Sequence, residues 1–301
     1  MRISSPRSRL LLSALVPLVA STALACAPVE EAAPSGSGSS SAAGGSASEN
    51  ASACTPDQLQ TRQAGTLTVG TDSPAYEPWF ADNDPTNGQG YESAVAYAVA
   101  EELGYGEGQV EWVTVPFNNS YAAGPKSFDF DINQISITPK RAEVVDFSEP
   151  YYTATQGLIA LEDSPVASAT SIAELKEYKL GAQTGTTSLT AIREQVQPSS
   201  DPLVFEDTNA AKQALLNGQV DAVVADLPTA FYITAVEIPK GTIVGQFEDP
   251  GNADEFGLLF EKGSPLVSCV DEALATLEQD GTLEQIQQEW LSDVVDVPVL
   301  K

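Results

Sequence analysis

From Gly65 onward, short runs rich in β-branched residues alternate with amphipathic helical runs. That alternation admits few architectures, and it predicts an α/β chain with a largely parallel sheet. Thr66-Leu-Thr-Val-Gly70 reads as the first strand, and Tyr91 to Leu103 as a helix with Val95, Val99 and Leu103 on one face, stopped at Gly104. Val110 to Val115 and Asp129 to Ile137 follow as strands. A second set begins near Gln156, with a strand at Leu158 to Leu161, a helix at Ile172 to Glu177, a strand at Lys179 to Ala182 and a helix at Ser188 to Val196. Asn209 to Asn217 is helical up to Gly218, Asp221 to Ala225 is a buried strand, and Pro228 opens another helix. A strand at Phe256 to Glu261 precedes two helices. The first starts at Ser264-Pro265 and presents Leu266, Val270, Leu274 and Leu277; the second starts at the capping pair Thr282 and Gln285 and presents Leu283, Ile286 and Trp290. A chain of 301 residues exceeds what one core usually fills, so two lobes plus tails are expected.

The charge balance narrows the function. Fourteen Lys and Arg face 42 Asp and Glu, a formal charge of −28, which repels nucleic acid and provides no polybasic patch for anionic lipid. No histidine occurs, so Ser-His-Asp and Cys-His catalysis and the usual zinc sites lose their commonest member, and neither a cofactor nor a metal is expected. The N-terminus reads as an export signal over residues 1–25: Arg2, Arg7 and Arg9, then the apolar run Leu10 to Val19, then small residues up to Cys26. Thr22-Ala-Leu-Ala-Cys26 resembles a bacterial lipobox, with its leucine one place nearer the cysteine than usual, so Cys26 is the expected lipidation site. The other reading is an ordinary secretory cleavage site. From Ala27 to Ala53 almost every residue is Ala, Ser, Gly, Glu or Pro, a tether with a root-mean-square span of roughly 30 Å. Once Cys26 is acylated, Cys54 and Cys269 are the remaining cysteines, and an oxidising exterior favours their pairing as a disulfide.

Four blocks carry a family resemblance. They are Gly65-Thr-Leu-Thr-Val-Gly-Thr-Asp72 with Tyr76 and Pro78; Phe128-Asp-Phe-Asp-Ile-Asn-Gln-Ile-Ser-Ile-Thr-Pro-Lys-Arg141 running into Val145-Asp-Phe-Ser-Glu-Pro-Tyr-Tyr152; Gly181-Ala-Gln-Thr-Gly-Thr-Thr187; and Gly218-Gln-Val-Asp-Ala-Val-Val-Ala-Asp226. In order and spacing the mature chain resembles the family 3 extracellular solute-binding proteins, the polar amino-acid receptors of ABC importers. The resemblance implies an α/β, two-lobed periplasmic-binding-protein type II fold with two hinge crossings. Lobe one would comprise residues 64–154 and 250–301, lobe two residues 155–249, and residues 26–63 would be the lipidated cysteine and tether. The crossings would fall near Tyr152 to Gln156 and Glu248 to Glu255, with closure by hinge motion. It further implies a monomer on the outer face of the cell membrane, held there by its lipid alone, that passes a polar or cationic amino acid to an importer permease.

A dry cleft for an amino acid must offer an anion, a cation and oriented amides. By resemblance, Arg141 clamps the carboxylate with its planar fork, the turn at Thr186 and Thr187 adds helix-start N–H groups, and Asp226 takes the α-ammonium. Ser136 and the carbonyl of Gln134 complete the set. Specificity is expected from Asp72, Tyr76, Glu77, Trp79, Phe117 and Asn118, which follow strands of lobe one, with Phe117 stacking on the ligand and Asp72 favouring a cationic or amide side chain. Each assignment has a purely structural alternative: a surface ion pair for Arg141, helix capping for the threonines and for Asp226, core packing for Phe117. Two other functions compete. A cyclohexadienyl dehydratase-like enzyme would need Glu77 or Glu92 as general acid, and a sensory ectodomain would need a membrane span, which the sequence up to Lys301 does not supply.

Overall fold

The computed structural model describes residues 54–248, 254–291 and 297–301. The export signal, Cys26, most of the tether and the centre of the second expected crossing lie outside the described residues. Eleven strands are described: β1 Leu67–Thr71, β2 Val110–Thr114, β3 Phe130–Asp131, β4 Val145–Ala154, β5 Gln156–Leu161, β6 Leu180–Gln183, β7 Leu203–Phe205, β8 Ala222–Asp226, β9 Gly241–Phe247, β10 Asp254–Glu261 and β11 Val299–Leu300. They form two sheets, ordered β2-β1-β3-β10-β4 and β11-β9-β5-β8-β6-β7. The chain passes from the first sheet to the second between β4 and β5 and back between β9 and β10. Two mixed α/β sheets joined by two crossings are the arrangement that the resemblance implies. The sheets are less parallel than the β/α alternation predicts: β1, β2 and β3 run parallel, as do β6, β7 and β8, whereas β10 pairs antiparallel with β3 and β4, and β5 antiparallel with β8 and β9.

The first sheet packs against α1 (Tyr91–Glu102), α7 (Val267–Gln279) and α8 (Thr282–Leu291). Tyr91, Val95, Ala96, Val99 and Ala100 bury the inner face of α1; Val270, Leu274 and Leu277 do so for α7. Burying each such valine or leucine side chain stabilises the fold by about 1.5–3 kcal/mol before entropy is counted. A smaller cluster of Val115, Phe117, Phe128, Ile135, Val145 and Leu259 lies beneath α2 (Phe117–Ser120), with α3 (Pro139–Ala142) leading into β4. The second sheet is covered on both faces, one core containing α4 (Thr187–Ala191) and the other α5 (Thr208–Leu216) and α6 (Leu227–Tyr232).

Three expectations give way, and strand β9 was not foreseen. The strand expected over Asp129 to Ile137 shrinks to two residues, because Gln134 adopts a left-handed backbone (φ 47°) and the chain turns toward the second sheet. The capping pair at Thr282 is replaced: Asp280 Oδ1 accepts from Thr282 N at 2.8 Å, and Thr282 is itself the first helical residue. Strand β9 carries no clear alternation, so periodicity does not reveal it. The chain end is the largest change, since residues 250–301 were expected to stay wholly in lobe one. Instead Val299 and Leu300 pair in parallel with Gln246 and Phe247 of the second sheet. Leu300 is buried there, packed over Gly245, where a Cβ would lie 2.6 Å from its Cγ; the burial of one leucine and the Gln246 bonds to Val297 O and Pro298 O hold the end in place.

Candidate functional site

Between the two sheets lies a cavity of about 60 Å³. Its lining takes residues from the loops after the strand ends of both sheets, the usual ligand position in open α/β folds. Of the nine residues expected to bind ligand, eight line it: Asp72, Tyr76, Phe117, Gln134, Ser136, Thr186, Thr187 and Asp226. Arg141 does not.

The Arg141 guanidinium is buried and donates Nη1 to Ser136 O at 2.7 Å and Nη2 to Gly185 O at 2.9 Å. It sits over the Tyr121 ring, 4.5 Å from its centroid, and near that of Phe117. A surface ion pair therefore does not describe it. Its planar fork fastens one sheet's loops to the other's, because with the two sides in contact two backbone carbonyls come within reach of adjacent N–H groups. Gly185 permits that approach: a Cβ there would lie 2.1 Å from Asn118 Oδ1 and 2.4 Å from Tyr121 Oη. Trp79 makes another bridge, its Nε1 donating to Thr229 Oγ1 at 2.8 Å, and Ser136 Oγ lies 3.3 Å from Thr187 Oγ1.

Asp226 ends β8 immediately before α6, yet its side chain makes no capping bond. Oδ1 instead accepts from Gln156 Nε2 at 2.7 Å. Burial, and then the charge of Asp254, push its carboxyl up to about 8, against opposing effects of the Gln156 bond and Arg141. Thr186 does cap α4, accepting from Leu189 N at 3.2 Å, while lining the cavity; Thr187 Oγ1 donates to Asp254 Oδ2 at 2.8 Å.

At the other end, Asp72 accepts from Ser73 N and Phe117 N, and burial raises its carboxyl above the usual carboxylate range. Tyr76 presents an Oη shut from solvent without a hydrogen-bond partner among the described residues. Phe117 both packs in the small cluster and lines the cavity. Three other specificity candidates fall elsewhere: Trp79 is fully buried among Tyr91, Tyr152 and Phe256, Asn118 accepts from the Tyr121 hydroxyl, and Glu77 accepts from Asp82 N. Glu92 is also absent from the lining. It is completely buried, pushed up to about 7 by that burial, and bonded to Gln134 N at 2.6 Å, to the Gln134 amide and to the Tyr151 hydroxyl. It thereby holds the left-handed Gln134 in place.

Gln183, Ser188, Thr208 and Thr229 line the cavity without having been anticipated, and Gln156 and Asp254 tie its floor together. The one signal for Gln156 in the sequence is an amide opening an otherwise apolar strand. Thr208 follows the N-cap Asp207, a position that reads as capping alone.

The sequence model for bacterial extracellular solute-binding proteins, family 3, matches residues 67–293. The chain is 28% identical over 236 residues to the arginine-binding extracellular protein ArtP of Bacillus subtilis, covering 75% of this chain and 86% of that protein. It is 27% identical to the L-cystine-binding protein TcyJ of Escherichia coli, covering 77% and 84%. Among solved structures it resembles the arginine-, lysine-, histidine-binding protein ArtJ of Geobacillus stearothermophilus, with a TM-score of 0.64 at 28% identity, covering 77% of this chain and 97% of that one. An ancestral amino acid-binding protein described as a precursor of cyclohexadienyl dehydratase gives a TM-score of 0.63 at 32% identity, covering 75% and 95%.

Proposed function

Because the chain belongs to the family 3 bacterial extracellular solute-binding proteins, we propose that its cleft captures an amino acid outside the cell, a polar or cationic one by preference, and presents it to an ABC importer. The observation that carries this reading is Asp226, a carboxylate at the cavity wall that caps no helix and, among the described residues, meets one amide. A buried anion so placed is costly unless a cation joins it, and an α-ammonium is the cation every amino acid brings. Asp72 and Tyr76 at the far end suit a second donor or positive group on the side chain. Arg141, next to Ser136, retains N–H groups beyond the two already used and is the carboxylate partner in this reading. The relatives' named ligands, arginine and cystine, fit the same preference.

A thermal-shift screen of the mature protein against the common amino acids tests it. A ligand at 1,000 times its dissociation constant should add about 4 kcal/mol of stability. If no amino acid shifts the transition, the reading is wrong. Neither Glu77 nor Glu92, the acids proposed for the dehydratase alternative, lines the cavity, which supports a binder without chemistry of its own; turnover of prephenate or arogenate would refute that.

Two features of the secreted state belong to the same proposal. Cys54 and Cys269, whose Cα atoms lie 5.4 Å apart, are joined as a disulfide in the exported protein. Cys26 carries the lipid that holds the domain at the membrane, on the strength of the basic, apolar and small-residue run before it and the tether after it. Wild type should enter the detergent phase in phase partitioning and Cys26→Ser the aqueous phase. Wild type in the aqueous phase would dispose of the anchor.

A further inference from the structure

Two carboxylates at the cleft floor share one amide. Gln156, the first residue of β5, gives Nε2 to Asp226 Oδ1 at 2.7 Å and to Asp254 Oδ2 at 2.8 Å, while its Oε1 accepts from Ser188 Oγ at 2.6 Å. Asp254 opens β10, where the chain has rejoined the first sheet, and its Oδ2 also accepts from Thr187 Oγ1. Its Oδ1 is shut from solvent with no partner among the described residues. Asp226 and Thr187 line the cavity and Asp254 does not, so any influence of Asp254 on a ligand passes through them. The groups whose charges reach Asp226 are Asp254 on β10, Glu92 on α1, Tyr152 on β4 and Arg141 on α3. Only Arg141 among them is a cation, and it donates to the backbone carbonyls of Ser136 and Gly185.

We propose that Asp254 is a positioning residue: by holding Gln156 and Thr187 and crowding Asp226 with a second negative charge, it makes capture of the ligand's ammonium an exchange for a proton. This deepens the amino-acid reading above and rests on it. In the exchange the Asp226 carboxylic acid releases its proton to buffer, and the carboxylate so formed receives the ammonium; no bond of the ligand changes. The direction follows from Asp226 being pushed up to about 8, by burial first and then by the charge of Asp254. An arriving ammonium lowers that value, so binding releases a proton at neutral pH. Affinity should therefore rise with pH, by up to about tenfold per unit for one proton, and level off above about 8.

The test is calorimetric titration of L-arginine and L-glutamine into wild type, Asp254→Asn and Asp254→Glu between pH 6 and 9, in phosphate and in Tris, whose ionisation heats differ. Wild type should release about one proton at pH 7 with whichever probe binds. Asp254→Asn should release less than half as much, with the midpoint of its pH profile moved to lower pH, and Asp254→Glu should restore the release. A structural role alone would change affinity without moving the proton count. Where neither probe gives binding heat, the amino acid that stabilises wild type most in the thermal-shift screen takes their place, and if none does, the amino-acid reading and this proposal fall together. Binding by wild type without proton release overturns this proposal alone and needs no variant; so does an unchanged release in a folded Asp254→Asn.

Discussion

Asp226→Asn should lose amino-acid binding and, at pH 8, unfold at a higher temperature than wild type. The loss follows from the ammonium: an amide of the same shape keeps the volume but leaves a buried positive charge without its counter-ion. Removing one partner of such a pair costs on the order of 2–5 kcal/mol, or roughly 30- to several-thousand-fold in affinity. The gain in stability has the same origin. Burial and Asp254 raise the Asp226 carboxyl to about 8 in the folded protein, whereas an unfolded aspartate titrates near 3.9. The folded state thus holds the proton more tightly, the stabilising effect is complete below about pH 4, and it is lost as pH rises toward 8. An asparagine does not titrate, so the advantage of the variant should be small at pH 5 and grow up to pH 8. Calorimetry reads the first effect and melting curves at the two pH values the second. If the variant binds within threefold of wild type, or if its relative stability does not depend on pH, the assignment of Asp226 fails.

Loss of the Cys54–Cys269 bond should destabilise the fold by up to about 5 kcal/mol. Cys269 lies on the buried face of α7 and Cys54 packs against the same core at the start of the described chain. Their separation of 215 residues closes almost the entire folded region into one loop. In the chain-entropy model such a loop is worth about 5 kcal/mol, against a total stability of about 5–15 kcal/mol for a typical domain. The double variant Cys54→Ser, Cys269→Ser should lower the denaturation midpoint accordingly, and thiol titration of the denatured, unreduced mature domain should find neither cysteine free. Two reactive thiols would rule the bond out. A double variant as stable as wild type would show that the bond contributes nothing.

The order of strands and helices was legible because periodicity is a local property. Val95 and Val99, or Leu266, Val270, Leu274 and Leu277, mark a buried helix face wherever the helix ends up. The blocks ending in Asp72, Arg141, Thr187 and Asp226 likewise located the strand ends that open on the cleft, and eight of nine candidate residues do line it. What each side chain does there was not local. Whether Asp226 caps α6 or faces the cavity depends on Gln156, 70 residues away, offering the better partner. Arg141 turns to the carbonyls of Ser136 and Gly185 because a glycine with no Cβ lets the other side of the cleft come close enough. Asp254 had no signal at all, for its neighbours Gln156 and Thr187 reach it only after the chain has crossed to the second sheet and returned. The same holds for Val299 and Leu300, which join the second sheet rather than the first since the site that buries Leu300 exists only once β9 has paired. Sequence alone determined most of the elements, though not β7, β9 or β11, together with the strand ends that bear the site and its charge types. Tertiary structure decided which charges meet, because hydrogen-bond partners and burial are set by distance in space and not by separation along the chain.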